Sequence, residues 1–342
     1  MTTTTAGSTD IKAVLQEDPN SNKLTLTRLP PPLFDPAGTS ALVRVYAASP
    51  CKSELSWEAN FPSLFPAGRL RVPGTEGAGT VEQAPDGSSF NAGDEVFFRI
   101  HASIPGALRE VTLVPLSMLA QKPAGLSWTD AAATPLSSLT AYQGLFAQAP
   151  GVLDPAALSA DAGTAAKAKA HNAARSVLVT GASGGVGSWA IKLAAAAGVG
   201  RIVGVGSASK ADTVRGYGAT EAVAYNDDGV ARWAQSAVPV DLILDAAGSD
   251  LDKVWPALKT NGTFLSVCVD PNATKPADKA VTKAAWFLVE PSGKDLTEIA
   301  RLMALHSWTP LVDSVVKFED VQAAYEKTDG GRTNGKVVVT VP

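Results

Sequence analysis

Apolar and polar residues alternate at short intervals through the first third of the chain. The alternation covers 12–15, 23–27 and 41–46, and returns at 79–82, 93–98 and 111–114. Period-two patterning predicts half-buried strands. Pro30-Pro31-Pro32, Pro36-Ala37-Gly38 and Asp86-Gly87-Ser88-Ser89 separate them as turns. Many short strands punctuated by Gly and Pro predict an irregular β-barrel. Residues 1–10 read as a disordered tail.

From Ser127 the pattern turns helical, with Ser127 as a capping residue for 127–133 and apolar residues at helical spacing over 136–146. Residues 148–174 are rich in Ala, Asp, Gly and Lys without a clear period, which predicts an exposed insertion. Strand and helix patterns then alternate. Strands are predicted at 177–179, 201–205, 218–225, 240–245 and 262–269, with helices running through Ile191 and Ala195, from Lys210 to about Tyr217, and over 231–235 and 251–258. Such alternation implies a parallel sheet covered on both faces. Helices are predicted at 294–306 and 318–327, and a terminal strand at 335–341 is expected to rejoin the barrel. The predicted fold class is α/β: a barrel-like catalytic domain over 1–135 and 300–342, and a doubly wound Rossmann domain over 136–299.

Composition narrows the function classes. With 45% apolar and 18% charged residues in 342, the chain has the balance of a water-soluble globular protein. A net charge of −4 without a basic cluster argues against nucleic acid as a partner. No apolar run reaches the ~18–20 residues of a membrane span, and no signal peptide is visible, so a cytoplasmic location is expected. Cys51 and Cys268 are the only cysteines, too few for a disulfide framework or a four-cysteine zinc site.

The most informative stretch is Gly181-x-x-Gly184-Gly185-x-Gly187, placed between the strand at 177–179 and the following helix. Glycines there let the backbone approach a pyrophosphate, and a helix N-terminus favours anionic oxygen. Ser183, Gly184, Gly185 and Val186 are the candidate phosphate contacts. NAD-selective sites carry an Asp or Glu ~20 residues after the glycines. Here the second strand ends in Gly206-Ser207-Ala208-Ser209-Lys210, with no acid. Hydroxyls and a lysine suit a 2′-phosphate, Tyr225 adds a phenolic donor, and Val267 joins the cofactor-binding set. The expected cofactor is NADP(H).

With those residues placed, the whole chain resembles the medium-chain dehydrogenase/reductase superfamily. The resemblance is carried by Val72-Pro-Gly-Thr-Glu-Gly-Ala-Gly-Thr-Val81, Gly93-Asp-Glu-Val96, Ala131-Ala-Ala-Thr-Pro-Leu136 with Leu139-Thr-Ala141, the glycine motif, and Gly335-Lys-Val-Val338. It is most similar to the zinc-free quinone oxidoreductase and enoyl reductase branch, which includes fungal trans-acting enoyl reductases of polyketide pathways. The resemblance implies a chaperonin-10-like barrel interrupted by the Rossmann domain. It implies hydride transfer from NADPH to a small apolar enone, enoyl thioester or quinone, free or carrier-bound, in a monomer or homodimer.

Cys51-Lys52-Ser53-Glu54 resembles the first-ligand segment of zinc alcohol dehydrogenases. Where those carry Gly-His-Glu, this chain reads Gly74-Thr75-Glu76, and a third Cys ligand is missing. Catalytic zinc normally needs three protein ligands, so no metal is expected and Cys51 reads as a free thiol near the cofactor. Relatives place a Lys or Tyr donor where this chain has Glu54. A Glu enclosed in apolar surroundings can donate a proton; the competing reading pairs it with a Lys or Arg. Lys52 and Ser53 are candidates for polar contact, and Thr140 for the nicotinamide ribose or carboxamide. His101, in the loop 99–103, is expected to be exposed or packed in the core and not catalytic, and His171 and His306 are expected to be structural. Alternatives to the reductase are a zinc-type alcohol or carbonyl oxidoreductase and a catalytically inactive NADPH-binding protein.

Overall fold

The structure, a computed structural model, describes residues 10–342; the tail expected over 1–10 lies outside the described residues apart from Asp10. Contacts divide the chain into two units, Met1–Leu136 with Glu290–Pro342, and Ser137–Val289. The stretch 290–299 thus belongs with the barrel strands.

In chain order, β1 (Ile11–Leu15) and β2 (Thr25–Leu29) form an antiparallel pair. They are followed by β3 (Ser40–Ser49), a short α1 (Trp57–Asn60), β4 (Glu76–Gln83), β5 (Glu95–Arg99), β6 (Val111–Pro115), β7 (Leu119–Gln121), α2 (Trp128–Ala132) and α3 (Pro135–Tyr142). The second unit continues with α4 (Ala162–Ala173), β8 (Ser176–Val179), α5 (Gly185–Ala196), β9 (Arg201–Gly206), α6 (Ala211–Gly216) and β10 (Glu221–Ala224). It closes with α7 (Gly229–Ser236), β11 (Val240–Asp245), α8 (Leu251–Val254), β12 (Leu258–Ser266) and β13 (Val281–Trp286). The chain returns to the first unit in α9 (Gly293–His306), β14 (Val312–Lys317), α10 (Val321–Asp329) and β15 (Lys336–Thr340).

The first unit's main sheet runs β14-β15-β3-β4-β5-β7, with β6 on β3. The ten-residue β3 joins it together, because its alternate residues Ala41, Val43 and Val45 are fully buried in a core shared with Val96, Phe98, Ile100 and Tyr325. As expected, the terminal strand rejoins the barrel: β15 pairs antiparallel with β3 at Val339↔Ala48. In the second unit all six strands are parallel, ordered β10-β9-β8-β11-β12-β13. Their near-continuous apolar runs, such as Leu242-Ile243-Leu244 at 0% exposure, are what a sheet covered on both faces requires. This order reverses direction between β8 and β11, and open α/β sheets bind ligands beyond the strand ends at such a point.

Residues 148–174, expected as an exposed insertion without a clear period, are an ordered part of the second unit, and α4 within them leaves most of its side chains exposed. Asp161 caps α4 by accepting from Thr164 N at 2.8 Å, and Ala165, Ala168 and Asn172 are buried. The fully buried Asn172 carboxamide donates to Asp154 O and Ala197 O at 3.1 and 2.9 Å. A face built from alanine and one asparagine gives no apolar period, which is why the pattern missed it. No helix among the described residues is long and apolar enough to cross a membrane.

Candidate active site

In the second unit, β8 leads straight into the glycine turn. Gly181 has φ of +60°, the left-handed region, and Gly184 N donates to Gly181 O at 2.9 Å. A Cβ on Gly187 would lie 2.2 Å from Gly181 O, so this close approach of helix and turn admits only glycine. Gly184 is the N-cap of the twelve-residue α5 and no side chain caps it. The first N–H groups of a helix have no partner within it. The turn therefore presents Gly185 and Val186, with the half-buried Ser183 beside them, to an anion.

At the end of β9, Ser207 Oγ lies 3.1 Å from Ser209 Oγ, and Lys210 N donates to Ser207 O at 3.0 Å. Tyr225 is brought next to this turn by the bond from its N–H to Gly206 O at 3.1 Å, and the residue is 53% exposed. A hollow of about 140 Å³ opens here, lined by Gly204, Gly206, Ser207, Ala208 and Val223. No carboxylate stands among 207–210. An uncapped helix start, a turn closed to any Cβ and a hydroxyl-lysine cluster fit a 2′-phosphorylated dinucleotide. Val267 is half-buried after β12, and Thr140 is buried within α3.

Sequence reasoning missed the residue that ties these loops together. Asp245, fully buried at the end of β11, accepts from Thr180 Oγ1 at 2.5 Å and Ser266 Oγ at 2.6 Å. It also accepts from Ala247 N and Gly248 N, while Val267 N donates to Asp245 O at 3.0 Å. One carboxylate thus fixes the ends of β8, β11 and β12. A strand-terminal Asp was visible in the sequence, but its partners lie 21 and 65 positions away.

In the first unit, Ser53 has φ of +59° and its N–H donates to Asp329 Oδ1 at 2.7 Å. This turn exposes Lys52 and Ser53 and folds Glu54 inward to 9% exposure. The Glu54 carboxylate accepts from Gly74 N at 2.7 Å, Cys51 N at 3.0 Å and the Tyr325 hydroxyl at 3.1 Å. Burial raises its pKa above the ordinary carboxylate value, against those three donors. Its partners are backbone amides and a phenol, neither the Lys nor the Arg that the competing reading had in view. Burial also pushes the Cys51 thiol up to about 12.

Beside this loop lies an ion cluster that the sequence did not announce. Glu76, fully buried, meets Lys336 Nζ at 2.8 Å and accepts from Leu136 N at 2.7 Å. Lys336 also donates to Pro50 O at 2.6 Å. Arg99, the direct cross-strand partner of Glu76, is 7% exposed. Thr75 is buried with its Oγ1 lacking a hydrogen-bond partner, and it lines a cavity of about 20 Å³, room for one water. Among the described residues no group of three His, Cys, Asp or Glu side chains could hold a metal ion. His101 lies 3.9 Å from Glu290, His171 reaches Val152 O at 3.3 Å, and His306 stacks on Trp308.

Comparisons with known proteins agree with this architecture. A family described as alcohol dehydrogenase GroES-like domain matches residues 37–124, and one described as zinc-binding dehydrogenase matches 217–339. A probable zinc-binding oxidoreductase, mitochondrial, from Arthroderma benhamiae is 34% identical over 96% of both chains. A mitochondrial NAD(P)H oxidoreductase, RTN4IP1 of Danio rerio, is 28% identical over 76% of this chain and 69% of its own. The quinone oxidoreductase of Coxiella burnetii superposes with a TM-score of 0.78 at 21% identity, covering 98% of this chain and 100% of its own. The chain belongs to the medium-chain dehydrogenase/reductase superfamily of nicotinamide-dependent oxidoreductases.

Proposed function

We propose that the chain is a zinc-independent, NADPH-dependent reductase of a small apolar α,β-unsaturated carbonyl: an enone, enoyl thioester or quinone. The observation that supports the cofactor choice is the acid-free turn after β9, which carries Ser207, Ser209 and Lys210 and has Tyr225 next to it in the fold. A carboxylate there would repel a phosphate; a lysine and hydroxyls receive it. Bound NADPH supplies hydride at its nicotinamide ring. The α5 N-terminus holds the pyrophosphate, and Thr140 contacts the nicotinamide ribose or carboxamide.

Independence from zinc is supported by Thr75, a hydroxyl where zinc relatives carry an imidazole. The engaged carboxylate of Glu54 supports a positioning role for this residue, with the final proton coming from water.

Consumption of NADPH against NADH, measured across a panel of enones, enoyl thioesters and quinones, tests the reading; no consumption with any acceptor overturns it. Lys210→Ala is expected to raise the NADPH KM about tenfold, the value of one charge-assisted contact, and to leave NADH unchanged. The Cys51 segment favours a second reading, a zinc-type carbonyl oxidoreductase. Stoichiometric zinc in the purified active enzyme would establish it.

A further inference from the structure

Two turns of the second unit, 246–248 after β11 and 267–269 after β12, point their amides inward. The Asp245 carboxylate accepts from Ala247 N and Gly248 N at 3.1 Å, and from the hydroxyls of Thr180 and Ser266. Thr180 Oγ1 in turn accepts from Ala246 N at 3.1 Å. Ser266 Oγ accepts from Cys268 N at 3.1 Å and Val269 N at 3.2 Å, and Asp245 O takes Val267 N at 3.0 Å. Every amide of both turns therefore ends on Asp245 or on a hydroxyl that it holds. The turns also touch, since a Cβ on Gly248 would lie 2.7 Å from Cys268 Cβ.

In a trans peptide each carbonyl points opposite to the N–H of the next residue. Amides turned inward at Ala247, Gly248 and Cys268 thus turn the carbonyls of Ala246, Ala247 and Val267 outward. Ala246 O faces the glycine turn, 2.8 Å from where a Cβ on Gly181 would stand. Ala247 is exposed and Val267 half-buried, and among the described residues neither of their carbonyls accepts a hydrogen bond. Such a face suits a ligand that brings N–H donors. Sheet order says which part of a dinucleotide meets it. The hydroxyl-lysine cluster stands after β9 and the glycine turn after β8, and the sheet runs β9-β8-β11-β12. A dinucleotide laid from the first across the second brings its nicotinamide end to the turns after β11 and β12.

We propose that Asp245 is a positioning residue for the nicotinamide: it holds both turns with their carbonyls outward, and Ala247 O and Val267 O accept from the carboxamide NH2. This deepens the cofactor reading above and rests on it. A carboxylate only accepts, which is what four converging donors require; an Asn in its place sets an NH2 against groups that already donate. Anchoring the carboxamide also fixes which face of the nicotinamide ring lies against the protein.

The test compares ligands as well as variants, in the whole protein, by fluorescence titration. The probes are NADP⁺, its 3-acetylpyridine analogue, which carries a methyl in place of the NH2, and adenosine 2′,5′-bisphosphate, which lacks the nicotinamide. The wild type is expected to bind NADP⁺ about tenfold tighter than the analogue, the value of one hydrogen-bonded group. In D245N that ratio is expected to fall to about one, and in S266A, which frees only the second turn, to about threefold. Both variants are checked for fold by circular dichroism and melting, and S266A decides if D245N does not fold. Bisphosphate affinity is expected to stay unchanged throughout. A wild-type ratio near one overturns the proposal, as does a ratio that stays near tenfold in either folded variant. Bisphosphate affinity that falls in step with NADP⁺ also overturns it, because the hub then only holds the sheet. If the wild type binds neither NADP⁺ nor the bisphosphate, the cofactor reading fails, and the same ratio taken with NAD⁺ and its acetylpyridine analogue decides Asp245.

Discussion

The glycine turn before α5 and the Cys51–Glu54 turn are both tight loops at functional positions, yet they are held by opposite means. The first is specified by what is absent. Gly187 has no Cβ to strike Gly181 O, and the helix start has no capping side chain. The second is specified by side chains from far along the chain. Tyr325 reaches Glu54 across 271 positions and Asp329 fixes Ser53 across 276, while Lys336 meets the neighbouring Glu76. A local rule of backbone space survives in a short motif. A network of partners exists only once the fold has assembled.

The comparison breaks most sharply at the ion cluster. Lys336→Met leaves the fully buried Glu76 without its 2.8 Å partner. Removing one member of a buried pair costs about 3–5 kcal/mol, so the denaturant midpoint should fall accordingly, with a partial recovery in the double variant Lys336→Met with Glu76→Leu. A midpoint within about 1 kcal/mol of the wild type would show that the pair does not hold the barrel loop. The corresponding change in the other unit is Gly187→Ala. Its methyl would sit 2.2 Å from a backbone oxygen, so the helix start must retreat. NADPH affinity by fluorescence titration should fall about 100-fold, near 2.7 kcal/mol. Affinity unchanged in this variant would place the phosphates elsewhere.

This contrast explains which parts of the molecule were legible in sequence. The parallel sheet and glycine motif follow from period and residue type, and β8 and β11 stand where the apolar runs put them. Strands β13 and β14 escaped because Val281–Trp286 and Val312–Lys317 are only partly buried and carry lysine and polar residues, so no alternation stands out. Helix α4 escaped because its buried face is alanine. At the site, Ser207 and Lys210 could be named from a missing acid. Glu54 could be singled out, but not the amides and phenol that hold it, and Asp245, Arg99 and Lys336 are ordinary residues until their partners are known. Spacing records only neighbours within a turn or a strand.

The smallest effect separates burial from hydrogen bonding at Glu54. In Glu54→Gln the amide nitrogen must face one of the N–H groups of Cys51 or Gly74, so a bond is replaced by a donor–donor contact. The expected cost is about 1–2 kcal/mol near neutral pH. The sign of the pH dependence follows from the raised folded pKa. A carboxyl whose pKa is higher in the folded than in the unfolded chain binds its proton more tightly when folded. Its contribution is greatest below the unfolded value near 4.3 and falls as pH rises through the folded value. The glutamine variant lacks that titration. Its deficit relative to wild type, from urea midpoints on either side of that window, should therefore shrink as pH rises. A deficit that grows with pH would mean that the three donors outweigh burial, and that this loop is held by an ionised carboxylate.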